Sequence, residues 1–316
     1  MIHLLMLIAS LGLALVLRLF WRWQYPRVGN WSGRWYRSLI AFVLPPLLLL
    51  STAIALLWMG PICRMAQHQM IHGWQGTLTY SWAAVYLAMV LLAGLWLGLD
   101  GYQAVGQLSR YEQLNLDIAP ATSPDQTLSG KTITSTTPAR LLPTGFPYIA
   151  QIGLWRPQLV LSQGLLDQLD HLHLDAVLCH EAAHLHYSDT AWFAGLGLLR
   201  RCSGWLPNTD ALWQELLLLR ELRADRWAAQ RVDPLLLAEA LFTVVSTPLY
   251  PDSRIDFSAA FNEQLVSDRL NERVDALLQA TPPDTAQNFQ TWRSLLLLIV
   301  ATAVVGLPLW TLALHY

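Results

Sequence analysis

His180-Glu181-Ala182-Ala183-His184 is the stretch on which the reading of this chain turns. It lies within Leu172 to His186, where apolar residues recur at helical spacing. Histidines four apart then share one helical face and can offer both imidazoles to a single cation, with Glu181 beside them. With 9 His in 316 residues, chance produces the pattern roughly 0.006 times per chain, so a chemical reason is needed. A catalytic zinc takes three protein ligands and keeps a fourth position open. Glu221-Leu222-Arg223-Ala224-Asp225, inside a second helical stretch from Asp210 to Arg231, supplies the third. Glu221 and Asp225 fall on one face, so Glu221 can bind the metal while Asp225 accepts a hydrogen bond from a ligand imidazole and fixes its tautomer. Glu215 is the competing third ligand, in the less specific setting Trp213-Gln214-Glu215-Leu216. The expected centre is one zinc per chain on His180, His184 and Glu221, with Glu181 outside the ligand set.

Moving outward from this helix, Tyr148 to Ile152 and Gln158 to Ser162 read as strands joined by a Gly153-to-Pro157 turn. Pro234 to Ser246 and Ala259 to Ala280 read as further helices. Thr190 to Leu199 is apolar but too short to span a bilayer, and is taken as a core helix. Asp117 to Gly145 is rich in Thr, Ser and Pro and reads as a linker, with at most one short strand near Thr132 to Thr136. The fold class expected is α+β: a mainly helical domain with a small sheet, spanning residues 146–291 after a linker at 117–145.

The composition places this domain at a membrane. At 54% hydrophobic and 13% charged, the chain is too apolar for an ordinary soluble protein, where about 25% charged is usual. The excess concentrates in Ile2 to Phe20, Leu39 to Met59, Ser81 to Leu99 and Leu295 to Leu314, each near the length a helix needs to cross a bilayer. Four transmembrane helices follow: three in residues 1–116 and the fourth in 292–316. The first run has no Lys or Arg before Arg18, unlike a secretory signal, and is read as a retained anchor. Arg22, Arg27, Arg34 and Arg37 lie between the first two runs, whereas Gly60 to Tyr80 holds only Arg64. That bias puts the first loop and the metal domain in the cytoplasm, and both termini outside. The aromatic residues from Trp21 to Tyr36 suit a loop lying along the membrane, and Pro45-Pro46 should kink the second crossing.

Net charge is −2, and nothing in its distribution indicates a nucleic-acid surface. Cys63, Cys179 and Cys202 give no disulfide framework, so free thiols are expected. Cys179 points about 100° away from the neighbouring ligand and is read as core. Cys63, Met65, His68, Met70 and His72 offer donors suited to copper(I), although a Met-rich packing loop is the plainer reading.

With these residues in hand, the chain resembles gluzincin membrane peptidases, and among them the BlaR/MecR-type sensor-transducers that govern bacterial resistance genes. The resemblance covers about Tyr148 to Gln230. It is carried by Gly153, Arg156-Pro157, Leu159-Val160-Leu161, Leu174 to His184 with Asp189 following, and Glu221 to Asp225. It implies a zinc endopeptidase of the inner membrane in which Glu181 takes a proton from water and passes it to the leaving amine. Asp189 matches an acidic residue of that family; capping the next helix is its plainer role. His186, Tyr187 and Arg223 are candidates to stabilise the oxyanion, with packing the simpler expectation. The implied partner is a protein substrate, with a winged-helix repressor the usual companion. Membrane-protein quality control and a non-catalytic zinc scaffold are the alternatives, and oligomeric state is left open. In those sensors an antibiotic-binding domain follows the fourth crossing; this sequence ends at Tyr316, so direct β-lactam sensing is not expected.

Overall fold

A computed structural model describes residues 2–21, 31–66, 74–118, 135–154, 156–246 and 269–278. The chain divides into two compact units, one of residues 1–96, 196–216 and 282–316, the other of residues 97–195 and 217–281.

In the first unit, α1 (Ile2–Trp21), α2 (Trp31–Ala66) and the beginning of α3 (Trp74–Leu108) are long and apolar. Gly33–Trp58 and Gly76–Leu108 are long enough and apolar enough to cross a membrane; α1 contributes the shorter apolar stretch His3–Leu19. The expected fourth crossing lies outside the described residues, as do residues 67–73, which hold most of the Cys63-to-His72 donors. Only 11% of the apolar window of α3 is buried, and Leu91, Leu92, Leu95 and Trp96 stand exposed along it. The expected membrane-surface loop is shorter than the sequence implied. Trp31 to Arg37 form the first turns of α2, where Trp35 is 2% exposed and Arg34 pairs with Glu215.

Helix α2 runs unbroken through Pro45-Pro46. Pro46 has no N–H for the Phe42 carbonyl four residues earlier. Arg18 Nη2, from α1, donates to that carbonyl instead at 3.1 Å, and Tyr86 Oη donates to the Pro46 carbonyl at 3.3 Å.

The second unit holds a four-stranded sheet of order β1-β2-β4-β3, from β1 (Glu112–Ile118), β2 (Ser135–Leu142), β3 (Ile149–Ile152) and β4 (Gln158–Ser162). The linker reading is corrected at both ends, because Glu112–Ile118 and Ser135–Leu142 pair antiparallel as full strands. Strand β2 accommodates Pro138, which faces Asn115 of β1 and lies just before pairing with β4 begins at Ala139. Strand β4 is interior, parallel to β2 and antiparallel to β3, which leaves β3 at an edge.

Alternation along β4 builds two cores. Leu159 and Leu161 pack with Ile149, Leu165, Val177 and Leu178 on the helical side, while Val160 packs with Leu108, Leu142 and Ile152 on the other. Ser162 then starts the helices: its Oγ accepts from Leu165 N at 3.1 Å, capping α4 (Gln163–Gln168). Gly164 is obligatory there, since a Cβ would sit 2.2 Å from the Gly145 carbonyl oxygen.

Asp170 caps α5 (His171–Tyr187) by accepting from His173 N at 2.9 Å. Helices α6 (Asp189–Ser203), α7 (Thr209–Ala229), α8 (Pro234–Ser246) and α9 (Leu270–Leu278) follow. Cys179 belongs to the apolar cluster of Ala176, Ala228, Leu237, Leu241 and Leu277, as expected of a core side chain; it and Cys202 are free and buried.

Candidate metal centre

The centre is assembled from α5 and α7. His180, Glu181, His184 and Glu221 are 4, 8, 9 and 6% exposed, so each gives up most of its hydration and needs partners. The two Nε2 atoms approach to 3.2 Å; His180 Nε2 lies 3.3 Å from Glu221 Oε2, and His184 Nε2 lies 3.7 Å from Glu221 Oε1. A tetrahedral ion with donors at about 2.0–2.2 Å has donor–donor edges of about 3.3–3.6 Å. The three side chains therefore fit a single metal ion, and together they form a group able to hold one.

Behind each imidazole stands a carboxylate, and behind each carboxylate an arginine. Asp189 Oδ2 lies 2.8 Å from His184 Nδ1 and receives Arg223 on its other oxygen. Asp225 Oδ1 lies 2.9 Å from His180 Nδ1, close but not lined up for a straight N–H donation, and both Asp225 oxygens take bonds of 2.7 Å from Arg273. With metal bound, protons on the two Nδ1 atoms, which face the carboxylates, would leave both Nε2 lone pairs free on the side of Glu221. Ser188 makes the first of these relays possible. It adopts the left-handed conformation at φ 57°, ends α5, and turns the chain so that Asp189 comes back to His184.

The field of the site is that of a cation receptor. Burial disfavours a charged His180, but contacts with Asp225 and Glu221 outweigh it and push the imidazole up to about 9. Burial would raise Glu221; Arg220, His184 and Arg273 overcome it and hold the carboxyl well below the usual range. Asp225 and Asp189 are lowered in the same way, against burial, chiefly by Arg273 and Arg223 respectively. Arg220 grips one Glu221 oxygen, Oε1, through Nε at 2.8 Å and Nη2 at 2.7 Å, and its guanidinium lies 4.9 Å from the centre of the Phe193 ring.

A cavity of about 110 Å³ opens onto the centre. Glu181, His184, Glu221 and Arg220 line its polar end, while Ile149 to Leu154, Phe193 and Ala194 supply the apolar wall. Gly153 closes this wall at φ 121°, a conformation that suits glycine, and a Cβ there would meet the Arg156 carbonyl at 2.9 Å.

Sequence reasoning brought His180, Glu181, His184, Glu221 and Asp225 to this place, and the structure gathers all five. Glu215 is set aside as a ligand: it sits six residues before Glu221, about 120° round the helix, and pairs with Arg34 at 2.7 Å. Asp189 does more than begin a helix, for it holds His184. Arg223 is committed to Asp189 and lies 4.1 Å from the Tyr187 ring centre, His186 stacks on Trp227, and none of these three oxyanion candidates is among the residues lining the cavity. Arg220 and Arg273 went unnoticed. A signal for Arg273 existed: Leu270, Arg273 and Leu277 form one helical stripe, with the cation at an apolar position. No protein-family model matches this chain, and no curated protein matches its sequence.

Proposed function

We propose that this chain is a membrane-anchored zinc endopeptidase whose active centre faces the cytoplasm and cuts a protein substrate in a regulatory step. The observation that carries the reading is the junction of three features: a convergent His-His-Glu donor set, a buried carboxylate outside that set, and a strand edge on the same cavity that is unpaired among the described residues. Zinc, when bound by His180, His184 and Glu221, polarises a carbonyl and acidifies water. Glu181 reaches the cavity from the ligand helix and takes the proton of the attacking water, then delivers it to the departing amine. Asp189 and Asp225 keep the imidazole tautomers fixed throughout.

Substrate lies along β3. Ser162 N–H donates to the Tyr148 carbonyl at 2.9 Å, and antiparallel pairing alternates, so Ala150 and Ile152 spend their backbone groups on β4. Ile149 and Gln151 turn theirs to the open edge, where an extended peptide adds as a further strand. The apolar wall then favours an aliphatic or aromatic side chain next to the cut.

The membrane assignment rests on two helices of spanning length and on the exposed apolar length of α3. The apolar runs Ile2 to Phe20 and Leu295 to Leu314 of the sequence are the basis for proposing two further crossings. The arginine bias sets its orientation.

The test compares new protein N-termini by mass spectrometry in cells making the active chain and in cells making Glu181→Gln, with metal content measured on both purified proteins. Glu181→Gln should keep one zinc and lose cleavage. A single cut in an exposed segment of one soluble protein, such as a winged-helix repressor, supports the regulatory reading; many cuts in damaged membrane proteins would replace it with quality control. Unchanged cleavage by Glu181→Gln would end the peptidase reading.

A further inference from the structure

Arg273 lies 48 residues beyond Asp225, on the short helix α9, yet its guanidinium reaches both the carboxylate behind His180 and the ligand Glu221. Its Nε and Nη2 each bond an Asp225 oxygen at 2.7 Å, and Nη1 lies 3.4 Å from Glu221 Oε2. The residue is 2% exposed. We propose that Arg273 is a positioning residue for the metal, and that α9 is thereby a removable part of the site whose docking and the metal's affinity reinforce each other. The inference rests on the metal-binding reading of His180, His184 and Glu221.

A forked guanidinium fixes the plane of a carboxylate as well as its charge, because both oxygens are held at once. With Asp225 fixed, its Oδ1 stays against His180 Nδ1, and the ring keeps Nε2 turned to the donor set. The matching relay to His184 is made differently. Arg223 and Asp189 both flank elements already committed to the site, whereas Arg273 arrives from a nine-residue helix attached through Leu277 to the Cys179, Leu237 and Leu241 cluster. Nine residues are too few to hold helical structure alone. Docking of α9 is therefore a separable step, and whatever it contributes to metal binding must be returned by the metal to α9.

The experiment uses the full chain in detergent, with cobalt(II) as a spectroscopic probe and zinc for affinity. Arg273→Met should weaken zinc binding about 10- to 100-fold, the range for changes behind a ligand, and should alter the visible cobalt bands. Arg273→Lys, which keeps the charge without the fork, should recover only part of the affinity. In an Asp225→Asn background Arg273→Met should add little, since the arginine acts through that carboxylate. Hydrogen exchange should find the amides of α9 more protected with zinc than after chelation. Wild-type affinity and spectrum in Arg273→Met, full additivity with Asp225→Asn, or metal-independent protection of α9 would each overturn the proposal. If Arg273→Met does not fold, Arg273→Lys and the exchange measurement decide. Failure of the wild-type chain to take up zinc or cobalt is a different result, which refutes the metal reading itself.

Discussion

Proline scanning of β3 separates the substrate edge from the ladder that holds the strand. Gln151 offers its N–H to the edge away from β4, so Gln151→Pro removes a donor that no described strand uses. The residue is already extended, as proline requires of its surroundings. One lost hydrogen bond to substrate is worth about 0.5–1.5 kcal/mol, a fall of roughly 2- to 12-fold in kcat/KM. Unfolding should be nearly unchanged. Ile152→Pro, one residue on, removes the donor that faces Gln158 on β4 and leaves a carbonyl unpaired, which costs about 1–3 kcal/mol of stability. Val160→Pro strikes a strand bonded on both sides and should unfold the domain. Cleavage of a quenched fluorescent peptide with an apolar residue at its centre, urea unfolding and zinc content would be measured on each variant. Gln151→Pro that folds, holds zinc and cuts at the wild-type rate would refute edge capture. If it were as unstable as Ile152→Pro, the register argument itself would fail.

Three other outcomes follow from contacts within the chain. Glu221→Ala should lose zinc, whereas Glu215→Ala should keep it and instead destabilise the chain by about 3–5 kcal/mol, because Arg34 is left buried without its carboxylate; metal analysis beside thermal unfolding separates the two. Gly164→Ala places a Cβ 2.2 Å from a backbone oxygen, which has no rotamer to yield, so a loss of at least about 1–3 kcal/mol in urea unfolding is expected. His173 is raised above 6.5, first by its hydrogen bond with Asp170 and also by Glu239 of α8. Since the folded value exceeds the unfolded one, this tie is at full strength below about pH 6.5 and fades as pH climbs through the folded value; the stability difference between wild type and His173→Gln should shrink over that range.

Local patterns were readable in the sequence, and the structure departs where distance enters. His180 and His184 are one turn apart on α5, and Glu221 and Asp225 one turn apart on α7, so spacing alone could pair them. The ends of α5, α7 and α8 fell within two residues of the expected ranges, because Asp170, Ser188 and Pro234 punctuate them. Strand β1 escaped because Glu112–Ile118 follows a long helix directly, and β2 because Ser135–Leu142 lies in a stretch rich in Thr, Ser and Pro, whose composition resembles a linker. Whether Glu215 or Glu221 was the third ligand depended on Arg34, 181 residues from Glu215. No periodicity encodes a contact of that kind.

Pro46 and Arg18 also make two distant positions answer to one another. Leucine at position 18 would leave the Phe42 carbonyl without the donor that stands in for the missing N–H of Pro46. Alanine at position 46 would return that N–H to the helix, and the guanidinium would then share the carbonyl with it while keeping its contact with Ser203 Oγ at 3.4 Å. The cost of a substitution at either position therefore depends on which residue occupies the other, so the two should be non-additive in a double-mutant cycle.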